Sequence, residues 1–271
     1  MSVNKEIKRI TTGYVQKLKD NKQKVSMLTA YDYTMASLLD EAGVEIILVG
    51  VSGANVCAGY ESTLPISLDH MIFYAASVVR GTRRALVIAD LPFGSYQGGR
   101  SEAFESAARM MKESGAHGLK LEGGNDIIDN IKVIVNAGIP VCGHLGLTPQ
   151  SINKFGTFGV RAKEEAEANK LKSDALALQE AGCFAVVLEK IPAKLAQEVT
   201  ELLHIPVIGI GAGDACDGQV LVVNDMLGMN ADFKPKFVRR YANLHETITS
   251  AVAQYVSDVK DSSYPSKDEQ Y

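Results

Sequence analysis

The sequence predicts an α/β fold, a single-domain (β/α)8 (TIM) barrel. Three observations lead there. Continuous apolar runs recur along the 271 residues, amphipathic stretches alternate with them, and glycine marks most of the changes from one to the next. Buried parallel strands read as unbroken apolar runs. Alternating strands and helices joined by short connections imply right-handed crossovers and a parallel sheet. Eight such runs in this length favour a closed barrel over an open sheet. An open dinucleotide-binding sheet should carry Gly-x-Gly-x-x-Gly after its first strand. The first run here continues instead into Thr29-Ala30-Tyr31-Asp32-Tyr33.

The candidate strands lie near 25–30, 45–50, 85–90, 118–122, 139–144, 183–189, 206–211 and 219–223. Ala42-Gly43, Ser114-Gly115, Ala137-Gly138 and Ala181-Gly182 read as helix stops before the next strand, because glycine enters the left-handed region at no Cβ cost. Ser67, Ser101 and Asn125 read as helix N-caps with an acidic residue in the turn that follows. A short helical extension precedes the first strand, and the residues from Lys260 form a polar tail. All of 1–271 is read as one domain.

Composition narrows the function. Hydrophobic residues make up 46% of the chain, ample for a core, and the net charge is −4. That charge argues against nucleic acid or an anionic membrane as partner. The polar start Met1-Ser2-Val3-Asn4-Lys5-Glu6 does not read as a secretory signal, and no apolar stretch is long enough to span a bilayer. Cys57, Cys142, Cys183 and Cys216 form no Cys-x-x-Cys pair and suggest no zinc site. Buried free thiols in a cytoplasmic protein are the expectation.

Four of the apolar runs end in chemistry. Residues 85–90 end at Asp90, 118–122 contain Lys120 and end at Glu122, 139–144 end at His144, and 183–189 end at Glu189. In a closed parallel barrel the C-terminal strand ends meet at one mouth, where active sites sit. Lys120 and Glu122 are two apart and share a side of their strand. Two carboxylates from different strand ends suit Mg2+, although their spacing alone is no metal motif. Asp90 alone reads equally as a loop cap, and a lone histidine is more often structural than catalytic. Gly123-Gly124, and the glycines around His144, allow close approach. A carboxylate ending so apolar a strand as 183–189 is partly desolvated and suited to act as a general base. Lys190 would point to the opposite face. Ile208-Gly209-Ile210-Gly211-Ala212-Gly213 reads either as a phosphate loop or as a tight turn at the rim.

Taken together, the motifs resemble the ketopantoate hydroxymethyltransferase family. They are Ser62-Thr63-Leu64-Pro65, Ala89-Asp90-Leu91-Pro92-Phe93-Gly94, Lys120-Leu121-Glu122-Gly123-Gly124, Gly143-His144-Leu145-Gly146-Leu147-Thr148-Pro149-Gln150-Ser151, Leu188-Glu189 and the 208–213 loop. The resemblance implies a (β/α)8 barrel. It implies transfer of a hydroxymethyl group from 5,10-methylenetetrahydrofolate to 3-methyl-2-oxobutanoate, giving 2-dehydropantoate on the route to pantothenate. It implies Asp90 and Glu122 as Mg2+ ligands, and Lys120, Ser52, Asp90 and His144 as substrate contacts. Glu189 is implied as the catalytic base, and a homo-oligomer, commonly a decamer, as the assembly.

Two stretches depart from the family pattern. The second strand is normally followed by Val-Gly-Asp-Ser, whose aspartate ligates the metal, whereas this chain reads Val49-Gly50-Val51-Ser52. Val51 thus occupies a third ligand and substrate position with no oxygen to offer, which predicts weakened metal binding and impaired turnover. Residues 156–163 also differ from the usual mouth-loop sequence. Val51 leaves a second reading, a weakly active or non-catalytic relative that binds a 2-oxo acid or folate. A metal-dependent carbon–carbon lyase acting on 2-oxo acids is a third, which the motif set disfavours.

Overall fold

A computed structural model describes residues 8–271. Eight parallel strands close into a barrel in sequence order: β1 (Val25–Thr29), β2 (Ile46–Val49), β3 (Leu86–Asp90), β4 (Gly118–Glu122), β5 (Val141–Gly146), β6 (Ala185–Glu189), β7 (Val207–Ile210) and β8 (Gly218–Leu221). β1 pairs with β8 to complete the ring. The predicted barrel and all eight strand positions are present, with ends shifted by up to two residues.

The helices follow from the local signals. α1 (Thr12–Asp20) precedes the barrel, capped by the Thr11 hydroxyl. Its Val15 and Leu18 join Ile10 in one buried cluster with barrel residues Val25, Ile46, Leu86, Ala185 and Ile208. α2 (Tyr33–Ala42), α3 (Gly53–Val56), α4 (Leu68–Gly81), α5 (Arg100–Ser114), α6 (Ile128–Asn136), α7 (Ile152–Phe155), α8 (Glu165–Glu180) and α9 (Ala193–Leu202) lie between the strands. Ser67 caps α4 as predicted, in a reciprocal capping box with His70. The other two predicted starts differ. α5 begins at Arg100 behind Gly99, one residue before Ser101. Asn125 opens a 3-10 turn and is bound through its side chain by Asp174. No helix separates β7 from β8; Gly211 and Gly213, at φ 62° and 86°, turn the chain there.

The barrel unit runs through Leu221, and Val222–Tyr271 form a second compact unit. The expectation from sequence was one domain with a polar tail from Lys260. In the second unit, α10 (Val223–Met226) is followed by an irregular stretch and α11 (Leu244–Lys260), which buries none of its residues. Among the described residues no helix is long and apolar enough to cross a membrane. All four cysteines are free; three are buried, but Cys57, at the end of α3, is exposed, contrary to the expectation for it.

Candidate active site

Alternation along each strand explains why the candidate residues meet. Leu86 and Ile88 of β3, Cys142 of β5, and Ala185 and Val187 of β6 pack together inside the barrel. Side chains two apart share a face. One further step toward the C-terminal ends therefore brings Asp90, His144 and Glu189 inward above that apolar filling. β4 contributes Lys120 and Glu122 in the same way. Register completes the layer: Asp90 pairs with Lys120, Glu122 with His144, and Gly146 with Glu189.

The contacts are close. Lys120 Nζ lies 2.7 Å from Asp90 Oδ1 and 3.2 Å from His144 Nδ1. His144 Nδ1 is 3.7 Å from Glu122 Oε1, and its Nε2 is 3.4 Å from Glu189 Oε2. Asp90, Lys120, Glu122 and His144 are all buried, whereas the Glu189 side chain is 17% exposed and so the most accessible of the five. A chain of polar contacts thus runs from the barrel interior to one carboxylate that an incoming molecule can reach. Lys190 turns away, donating from Nζ to the Phe158 carbonyl. That bond, with Arg161 N–H to the Lys190 carbonyl, ties the 156–163 loop beside Glu189.

Burial works against every charge here, so the balance of neighbours decides each group. Burial disfavours the Lys120 ammonium, but Asp90 and Glu122 outweigh it and raise its pKa. Burial pushes Asp90 up, with Lys120 opposing. Glu122 is likewise penalised by burial, yet the nearby His144 imidazole, the Lys120 charge and the Gln150 N–H bring it below its ordinary value. Burial and Lys120 disfavour protonated His144; Glu122 and Glu189 more than compensate, and its pKa rises.

Val51 is buried, and its N–H donates to Asp90 Oδ2 at 2.9 Å. Ser52 is half-buried with its Oγ 2.7 Å from the hydroxyl of Tyr31, a buried partner that the sequence reading did not single out. Tyr31 lies two residues past β1 in Thr29-Ala30-Tyr31, and the pairing of β1 with β2 brings it beside the β2 loop. Gly146 is required where it stands: at φ 91° a Cβ there would lie 2.3 Å from the Glu189 carbonyl. Gly124 serves packing instead of a ligand, since a Cβ would lie 2.3 Å from Cγ of Asp174 on α8.

Glu122 Oε1 is buried with no hydrogen-bond partner, the kind of oxygen a cation satisfies. Asp90 and Glu122 offer two hard carboxylates, enough for Mg2+ when substrate and water oxygens complete the shell. Among the described residues no group of three or more His, Cys, Asp or Glu gathers to hold a metal.

A (β/α)8 barrel that gathers a buried lysine, an imidazole and three carboxylates at the C-terminal ends of its strands has the layout of an enzyme of this fold. Comparison with known proteins narrows this class. The family model described as ketopantoate hydroxymethyltransferase matches residues 9–267, and the chain belongs to that family. It is 63% identical over 270 residues to the 3-methyl-2-oxobutanoate hydroxymethyltransferase of Flavobacterium johnsoniae, covering 100% of this chain and 99% of that one. To the protein of the same name from Bacteroides thetaiotaomicron it is 58% identical, covering 99% and 98%. Among solved structures it shares its fold with phosphonopyruvate hydrolase (TM-score 0.61, 11% identity, 95% and 92% covered) and 2,3-dimethylmalate lyase (TM-score 0.60, 15% identity, 96% and 88% covered).

Proposed function

We propose that this chain is an enzyme that transfers a hydroxymethyl group to 3-methyl-2-oxobutanoate, with 5,10-methylenetetrahydrofolate as donor and 2-dehydropantoate as product. Membership of the family, with relatives of that name matched end to end, supports the reaction. The observation that carries the site assignment is the single line of contacts from Asp90 through Lys120 and His144 to Glu189. The non-catalytic reading raised by Val51 is not favoured.

In this reading the 2-oxo acid enters at the mouth with its carboxylate and keto oxygens toward Lys120 and Ser52. Glu189, the most open carboxylate of the cluster, takes the C3 proton as general base. His144 holds Glu189 in place from Nε2. The Lys120 ammonium offsets the negative charge that grows on the keto oxygen, in a pocket where water screens it little. C3 then forms the new bond to the one-carbon unit. Water supplies the hydroxyl oxygen, and tetrahydrofolate leaves. Asp90 and Glu122 would hold Mg2+, which when bound adds Lewis-acid stabilisation of the same oxygen. A cytoplasmic homo-oligomer, of decamer size in this family, completes the proposal.

Glu189→Gln tests the assignment. It keeps the shape and removes the proton acceptor. Deuterium exchange at C3 of 3-methyl-2-oxobutanoate is expected to fall at least about 100-fold, while calorimetric binding of the acid persists. Exchange at the parent rate would take Glu189 out of the role.

A further inference from the structure

The β3–β4 ladder stops one step short of Glu122, and two side chains finish it. Leu91 N–H donates to the Lys120 carbonyl at 3.0 Å. A parallel ladder carried one step further would take the Glu122 N–H to the Leu91 carbonyl. Instead, Glu122 N–H donates to the Tyr96 hydroxyl at 3.1 Å, and the Leu91 carbonyl accepts from Gln150 Nε2 at 2.9 Å. The two side chains also meet each other, with Tyr96 Oη 3.0 Å from Gln150 Oε1 and 3.0 Å from the Glu122 carbonyl. The single hydroxyl proton serves one of these acceptors, and Gln97 Nε2 also donates to Gln150 Oε1, at 3.2 Å.

Both residues are themselves fixed. Tyr96 has no exposed surface, and its carbonyl accepts from Asn130 Nδ2 of α6 at 2.8 Å. Gln150 is buried, and its backbone N–H donates to Glu122 Oε2 at 2.9 Å. That bond leaves Oε1 as the carboxylate oxygen turned toward His144. The chain segment after β3, the end of β4 and the turn after β5 are thereby joined by polar contacts in which the Glu122 and Leu91 backbone groups are satisfied.

We propose that Tyr96 and Gln150 are positioning residues that wedge the ends of β3 and β4 apart and so set the aim of the Glu122 carboxylate. Neither faces the reacting atoms. Without the wedge, Glu122 N–H and the Leu91 carbonyl are free to pair. The strands then close by one rung, and Glu122 loses the contact that aims Oε1. The inference rests on the mouth cluster being the reaction site.

The test uses the full chain carrying Tyr96→Phe or Gln150→Leu, each alone and combined with Glu122→Gln. Thermal melts confirm folding; should one variant not fold, the other decides. Binding of 3-methyl-2-oxobutanoate and its C3 deuterium exchange are measured. Each single variant is expected to lose about 10–100-fold in exchange, the usual cost of removing a residue that orients a functional group. In the Glu122→Gln background most of that loss should vanish, because the wedge acts through Glu122. Exchange at the parent rate in the single variants, or losses that multiply in full with Glu122→Gln, would overturn the proposal. Glu189→Gln separates the two possible failures. If it abolishes exchange while the wedge variants keep it, the wedge is wrong and the site stands. If it leaves exchange intact, the site reading itself fails.

Discussion

Val51 is the residue whose substitution tests the proposed metal site most directly. It is buried, its N–H holds Asp90 Oδ2, and its side chain can give no oxygen to a cation. An aspartate here would stand beside Asp90 and close to Glu122, a like-charge cluster costly to bury unless a cation joins it. Val51→Asp is therefore expected to melt lower than the parent without metal and to gain more Tm on Mg2+ addition, since stabilisation by a ligand grows with the logarithm of its concentration over its Kd. Mg2+ binding is expected to tighten about tenfold or more, about 1.4 kcal/mol, with faster 2-dehydropantoate formation. Calorimetry, melts and turnover of the two proteins side by side check this. If the valine form saturates at the same metal concentration and runs at the same rate, position 51 has no ligand role here.

At the scale of elements, the strands both build the barrel and deliver the chemistry. β4 does this most heavily, carrying Lys120 and Glu122, and its entry is anchored by His117. His117 Nδ1 accepts the Val87 N–H at 2.9 Å, and Nε2 lies 2.8 Å from Arg9 Nη1. Burial, helped by the Arg9 charge, pushes the imidazole down to about 4. The unfolded chain therefore binds this proton at higher pH than the folded one. The stability involved is fully present above the unfolded value of about 6.5, declines as pH falls, and is lost below about 4. His117→Asn keeps an acceptor for Val87 N–H but does not titrate. The parent is expected to lose more Tm than the variant between pH 7 and pH 4.5. Matching losses would mean that His117 is not the acid-sensitive group.

The strand ends were also where sequence was most legible. Asp90, Glu122, His144 and Glu189 each close an apolar run, Lys120 stands two residues before Glu122, and a period of two in a known register carries all five inward. Tyr31, Tyr96 and Gln150 were not legible in this way. Each lies in a loop or, for Gln150, a single 3-10 turn, where no periodicity assigns a direction, and each contacts residues 21, 26 or 54 positions away in sequence. Asn125 misled for a related reason. Its side chain suits an N-cap, but Asp174 of α8 competes for it and wins.

At the scale of the whole molecule, assembly is the open property. α11 exposes Ile248, Val252, Tyr255, Val256 and Val259 on a helix with no buried residue. At these spacings they form one apolar stripe, more than a solvated helix ordinarily shows. The proposed homo-oligomer offers a cover for it. Sedimentation is expected to show a species several times the 29.2 kDa of one chain, and Val252→Glu to shift it toward smaller species. A parent that sediments only as monomer would exclude the assembly. The sequence by itself determined the closed parallel barrel, because helix stops and apolar runs are local signals, and it determined which five strand-end groups face the mouth, because alternation is local too. Tertiary structure alone decided which neighbours act on the buried groups, which carboxylate stays open, and what holds Glu122 in place. Those outcomes depend on burial and on distances between strands, and neither exists until the ring has closed.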